Sequence, residues 1–117
     1  MIRVAAICAL LGTAANGQQA VDGTGGDFRV LDKVTGAVST VTMTTGQTEV
    51  FGQLSLRVEG CRYPQSNPSG DAYANVTIYY GDALDPVFQG WMLASAPALN
   101  ALDHPRYDVW VLRCNTS

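Results

Sequence analysis

The chain has 117 residues, 47% hydrophobic and 15% charged, which is one globular domain and excludes a disordered or coiled-coil polypeptide. Seven Lys and Arg against ten Asp and Glu give a net charge of −3, so a basic face for nucleic-acid phosphates is excluded. Three cysteines is an odd number, and an odd number in a secreted protein demands an explanation.

The N-terminus offers that explanation. A single Arg3 precedes the apolar run Val4 to Ala15, broken only by Gly12 and Thr13. Crossing a bilayer as a helix takes about 20 apolar residues, so this run is too short to remain as an anchor. Ala15-Asn16-Gly17 places small side chains before Gln18, and a second cleavage point follows Ala20. Residues 1–17 are therefore expected to be a signal peptide for general secretion, since no twin-Arg pair is present. Its removal takes Cys8 and Arg3 with it, leaving six basic and ten acidic residues, a charge of −4. Cys61 and Cys114 remain, and two cysteines in an oxidising compartment pair by default. The alternative, a redox-active pair, lacks the Cys-x-x-Cys spacing.

Residues 18–26 (QQAVDGTGG) read as a flexible leader, because Gly23 to Gly26 lacks the Gly-Lys-Ser/Thr ending of a phosphate cradle. The fold is expected over residues 27–115. Strands are predicted over Phe28 to Val34, Val38 to Met43 and Thr48 to Phe51, punctuated by Thr35-Gly36, Thr45-Gly46-Gln47 and Gly52. Leu54 to Cys61 has a period of two, with Leu54, Leu56 and Val58 on the core face and Ser55, Arg57 and Glu59 on the wet one. Cys61 falls on the wet phase, and a bulge at Gly60 would turn it inward. The Pro-rich stretch 62–71 is a loop. Ala72 to Tyr80 is the next strand, with Ala72, Ala74, Val76, Ile78 and Tyr80 on one face and Tyr73, Asn75, Thr77 and Tyr79 on the other. Pro86 to Leu93 follows the turn at Gly81-Asp82. Ser95 to Leu102 is expected to be a short helical turn, with Ser95 as cap, Pro97 in the first turn, and Leu99 and Leu102 on one face. Tyr107 to Cys114 is apolar on both faces and is expected to be a central strand. The pattern predicts an all-β domain: a small antiparallel barrel or sandwich of about seven strands, with one helical turn and one disulfide.

Several of these segments carry a family likeness: LDKVTG at 31–36, CRYP at 61–64, AYA at 72–74, PVFQGWM at 86–92, SAPALNALDHP at 95–105 and YDVWVLRC at 107–114. They resemble the domain-of-unknown-function family numbered 2155, small exported proteins of α-proteobacteria. The resemblance runs from about Gly25 to Cys114. It implies a Gram-negative envelope address and a Cys61–Cys114 pair, and it implies no activity.

Residues able to carry chemistry are few. His104, flanked by Asp103, has the composition of a general base, and a small hydrolase in which it converges with Ser95 is the alternative function. Asp103-His104-Pro105 also reads as an ordinary turn, and Ser95 as a cap. One histidine and two paired thiols leave no zinc set, and Asp82 with Asp85 suits a turn better than a calcium site. No cofactor and no metal is expected. The aromatics are the best lead, because Tyr and Trp bury large area and keep one polar handle. Tyr63 beside the Pro-rich loop, with Tyr73 and Tyr79 on the polar face of their strand, forms the candidate contact surface. The leading expectation is thus a non-enzymatic binding or structural module of the periplasm, with an envelope protein as partner and no stable membrane span after signal removal.

Overall fold

The structure, a computed structural model, describes residues 19–116. The expected signal peptide at 1–17, with Cys8, lies outside the described residues. Among the described residues eight strands form in chain order: β1 (Ala20–Asp22), β2 (Gly25–Asp32), β3 (Val38–Thr44), β4 (Thr48–Phe51), β5 (Leu54–Pro64), β6 (Tyr73–Tyr80), β7 (Phe88–Leu93) and β8 (Tyr107–Asn115). All pairings are antiparallel. One sheet runs β1-β5-β6-β7, with β4 also on β5; the other runs β3-β2-β8. The architecture is a sandwich of two sheets and not a closed barrel.

The period of two in residues 54–58 decides how the larger sheet packs. Leu54, Leu56 and Val58 are fully buried, as are Val76 and Ile78 beside them on β6. Phe28, Val30 and Met43 of the smaller sheet close the core from the other side, with Tyr107, Val109 and Val111 of β8. Their side chains alternate inward because successive Cβ atoms of a strand point to opposite faces.

The register of β5 against β6 shifts between Val58 and Gly60, as a bulge at Gly60 requires. The inserted residue reverses the phase, so Cys61 faces Ala74 on the core side. There it is bonded to Cys114 of β8, with the two Cα atoms 5.6 Å apart. The disulfide therefore ties the two sheets together through the core.

Three expectations change. Residues 19–26, the described part of the expected leader at 18–26, are not a flexible leader: β1 pairs with the far end of β5, Ala20 opposite Pro64 and Asp22 opposite Arg62. Gly23 N–H donates to Cys61 O at 2.7 Å, and Thr24 N–H to Asn115 O at 2.9 Å. The glycines serve close approach, since a Cβ on Gly23 would lie 2.5 Å from Asn115 O and one on Gly26 would lie 2.9 Å from Arg113 O. Second, Ser95 to Leu102 is a loop containing one hydrogen-bonded turn, Leu99 N–H to Ala96 O, and not a helical turn with an apolar face. Leu102 is buried and Leu99 exposed, so they do not share a face. Third, β8 is an edge strand of its sheet, not a central one. Its second apolar face is explained by the segment after β7: Ala94 and Pro97 lie across a groove from Trp110 and Leu112.

Candidate functional site

The face of the larger sheet that points away from the core collects the residues singled out in the sequence. Residues directly opposite on antiparallel strands share a face. Tyr79 is opposite Ser55, which is opposite Val50 on β4. Thr77 lies between Arg57 and Gln89, Asn75 beside Trp91, and Tyr73 between Arg62 and Leu93. The outer face thus carries Tyr73, Trp91, Tyr79 and Val50 around a polar middle. Val50 is 64% exposed and Trp91 40%. Tyr73 and Tyr79 are half-buried.

Its charges are spent within the face. Arg57 Nε lies 3.2 Å from Glu59 Oε1, and its Nη1 donates to Gly46 O. Thr77 donates to the other Glu59 oxygen at 2.9 Å and is only 3% exposed, although its position is on the outer side. Arg62 pairs with Asp22 at 3.1 Å and donates to Ala20 O. Among the described residues a phosphate or free carboxylate meets no unpaired cation there, whereas Tyr and Trp rings offer area with a polar tip.

Tyr63 is not part of this face. It is one residue beyond Arg62, on the phase of Cys61, and packs against the core. The bulge that turns Cys61 inward turns Tyr63 with it. The structure therefore joins Tyr73 and Tyr79 to Trp91 and Val50, and separates Tyr63 from them. Trp91 had a readable signal, the alternation Gln89, Trp91, Leu93; its position beside Asn75 depends on register.

His104 and Ser95 have separate partners. His104 Nδ1 accepts from the backbone N–H of Arg106 at 3.0 Å and of Tyr107 at 3.4 Å, and its ring lies 4.5 Å from that of Tyr80. This nitrogen closes a turn. Ser95 Oγ donates to Asp71 Oδ2 at 2.6 Å, and Ser95 N–H to Asp71 Oδ1 at 2.9 Å. Burial raises the Asp71 carboxyl, and the bonds from Ser95 and Ala72 N–H outweigh it, so the group stays below its ordinary range. Asp71 latches the Pro-rich loop to the segment after β7. Asp82 and Asp85 lie in the β6–β7 connection, and among the described residues no cluster of three His, Cys, Asp or Glu side chains forms.

A cleft of about 300 Å³ lies at one end of the sandwich, lined by Val30, Asp32, Ser39, Val50, Phe51 and Tyr107 among others. Its one charged group, Asp32, is held by Arg106 Nη2 at 2.9 Å and by Nε. The Arg106 guanidinium, helped by the N–H groups of Val34 and Thr35, holds the Asp32 carboxyl down at about 2. Both groups are committed to closing the β2–β3 hairpin against residue 106.

The comparison that decides kinship covers nearly all of this sandwich: residues 26–114 match the family model described as "Uncharacterized protein conserved in bacteria (DUF2155)". The chain belongs to this family. The match runs from the first core-facing glycine of β2 to Cys114, so the resemblance read from the sequence motifs is met over the same span. The matched span of this chain contains Cys61, Cys114 and strands β3 to β7, with all but the first residue of β2 and the last residue of β8. The chain is 29% identical over 94 residues to "Uncharacterized protein RP359" of Rickettsia prowazekii (strain Madrid E), a match covering 78% of this chain and 61% of that protein. The chain thus spans about three-fifths of the length of that curated relative. No solved structure matches the chain. Among the described residues, no helix is long and apolar enough to cross a membrane.

Proposed function

We propose that the protein is an exported, non-enzymatic module of the Gram-negative periplasm that binds another envelope protein through the outer face of its larger sheet. The observation that carries this reading is the face itself: Tyr73, Trp91, Tyr79 and Val50 surround side chains whose charges are already paired. Aromatic residues dominate the energetics of protein contacts because they bury large area at small conformational cost. The export half of the proposal is supported by Arg3, the short apolar run to Ala15 and the small residues before Gln18. A cystine joining the two sheets suits an oxidising compartment.

The test is crosslinking of the native protein in the periplasm followed by mass spectrometry, with wild type beside Tyr79→Ala and Trp91→Ala. The expected result is one envelope protein crosslinked in the wild type and lost from both variants, while their unfolding midpoints stay close to wild type. Unchanged capture by the variants, or a mature protein that retains residues 1–17 in the cytoplasm, overturns the proposal.

A further inference from the structure

The smaller sheet ends in an edge, β3, that nothing among the described residues guards. Ala37 O accepts from Asp32 N–H at 2.9 Å at the hairpin end. Alternation along an antiparallel ladder then assigns Ser39, Val41 and Met43 to the bonds with β2. The N–H and C=O groups of Val38, Thr40 and Thr42 point the other way, to solvent. The next outward group, Thr44 N–H, is taken by Gln47 Oε1 at 2.9 Å, which ends the free stretch.

Natural sheets protect such edges with short strands, charges, proline or a covering segment. β1 and β4 are short, at three and four residues. The edge of β7 is covered where Asn100 donates to Trp91 O at 2.7 Å. The edge of β8 runs under His104 at one end and beside Ala94 and Pro97 at the other. β3 has seven residues, no charge and no proline, and Val38 is 58% exposed.

We propose that β3 is a self-pairing edge, which joins two copies of this chain antiparallel about a two-fold axis through Thr40. The occupant follows from the pattern of free groups. With the axis at Thr40, Thr40 faces Thr40 and Val38 faces Thr42 of the second copy. All three outward donors and all three outward acceptors of each strand are then bonded. Thr40 opposite Thr40 and Val38 opposite Thr42 are β-branched pairs, a favourable arrangement, and no like charges meet. The two smaller sheets become one continuous sheet of six strands. Contact through one strand stays below the ~1,200 Å² of a standard interface, so the dimer dissociates in roughly the micromolar range. This proposal is independent of the outer face of the larger sheet and stands or falls apart from it.

Sedimentation velocity on the exported, disulfide-bonded protein tests it, from roughly one to several hundred micromolar. Thr40→Pro removes an outward N–H at the axis and leaves the β2–β3 ladder whole. Thr42→Lys places a charge at the contact, and Leu84→Lys places the same charge on an exposed site elsewhere. Wild type and Leu84→Lys are expected to dimerise alike, with Thr40→Pro and Thr42→Lys at least about tenfold weaker, a margin of roughly 1.4 kcal/mol. Amide exchange supplies the check that does not depend on variants folding. The N–H groups of Thr40 and Thr42 gain protection as concentration rises, while those of Val41 and Met43 are protected throughout. A protein that is monomeric at every concentration, or a dimer indifferent to both β3 substitutions, overturns the proposal. Protection of Thr40 only on addition of a different protein overturns it in favour of an edge built for a foreign strand.

Discussion

Reducing the Cys61–Cys114 disulfide is the most informative perturbation of this fold. The bond links β5 of one sheet to β8 of the other across 53 residues of sequence, so β6 and β7 lie inside the loop it closes, while β2, β3 and β4 lie outside it. In the chain-entropy description, a loop of this length removes about 4 kcal/mol of conformational freedom from the unfolded state. A domain of this size has a net stability of roughly 5–15 kcal/mol, so the loss is between about a quarter and four-fifths of it. At an m-value of about 1.5 kcal/mol/M, the urea midpoint falls by roughly 2–3 M on reduction. The assay is urea unfolding followed by tryptophan fluorescence, with and without dithiothreitol. A Cys61→Ala, Cys114→Ala double variant runs alongside to separate loop closure from the packing of two buried sulfurs. A midpoint unchanged by reduction refutes the reasoning, as does labelling of both thiols in the exported protein without reductant.

Other predictions follow from local geometry. Gly52 has φ +62°, and a Cβ there would lie 2.6 Å from Tyr107 Oη, so Gly52→Ala is expected to cost about 2–3 kcal/mol in thermal or urea unfolding. Tyr107 Oη accepts from Gln53 N–H at 3.1 Å, so Tyr107→Phe should cost about 1–2 kcal/mol. The two substitutions are expected to be less than additive, because both act on one contact. Leu56→Ala removes a fully buried side chain from the middle of β5 and should cost about 2–5 kcal/mol. The Asp32 carboxyl is held at about 2, below its ordinary 3.8. A depressed carboxylate stabilises the fold above its unfolded pKa, and that contribution is lost as pH falls from about 4 towards 2. Carboxyl NMR titration should place Asp32 near 2 and its loss in Asp32→Asn should flatten acid unfolding in that window; a titration midpoint near 4 contradicts the assignment.

The sequence by itself determined the class of fold and the inner face of its main strands. A period of two is a local property, so Leu54, Leu56, Val58, Val76 and Ile78 could be assigned to the core without knowing their partners. For the same reason Tyr73 and Tyr79 were legible as one outward strip. The cysteine pair was legible too, because few cysteines remain once Cys8 is set aside. Tyr63 was grouped with the outer strip because residues 62–71 read as a loop; β5 instead continues to Pro64, and beyond the bulge at Gly60 Tyr63 shares the inward phase of Cys61. The glycines at 23–26 looked like linker, since close approach to Asn115 and Arg113 involves residues about ninety positions away. The apolar second face of β8 suggested a central strand, and only the loop after β7 shows what lies against it. Which residues point inward is written in short-range alternation. Which strands are neighbours, and which edge is left free, depends on long-range pairing that alternation does not encode.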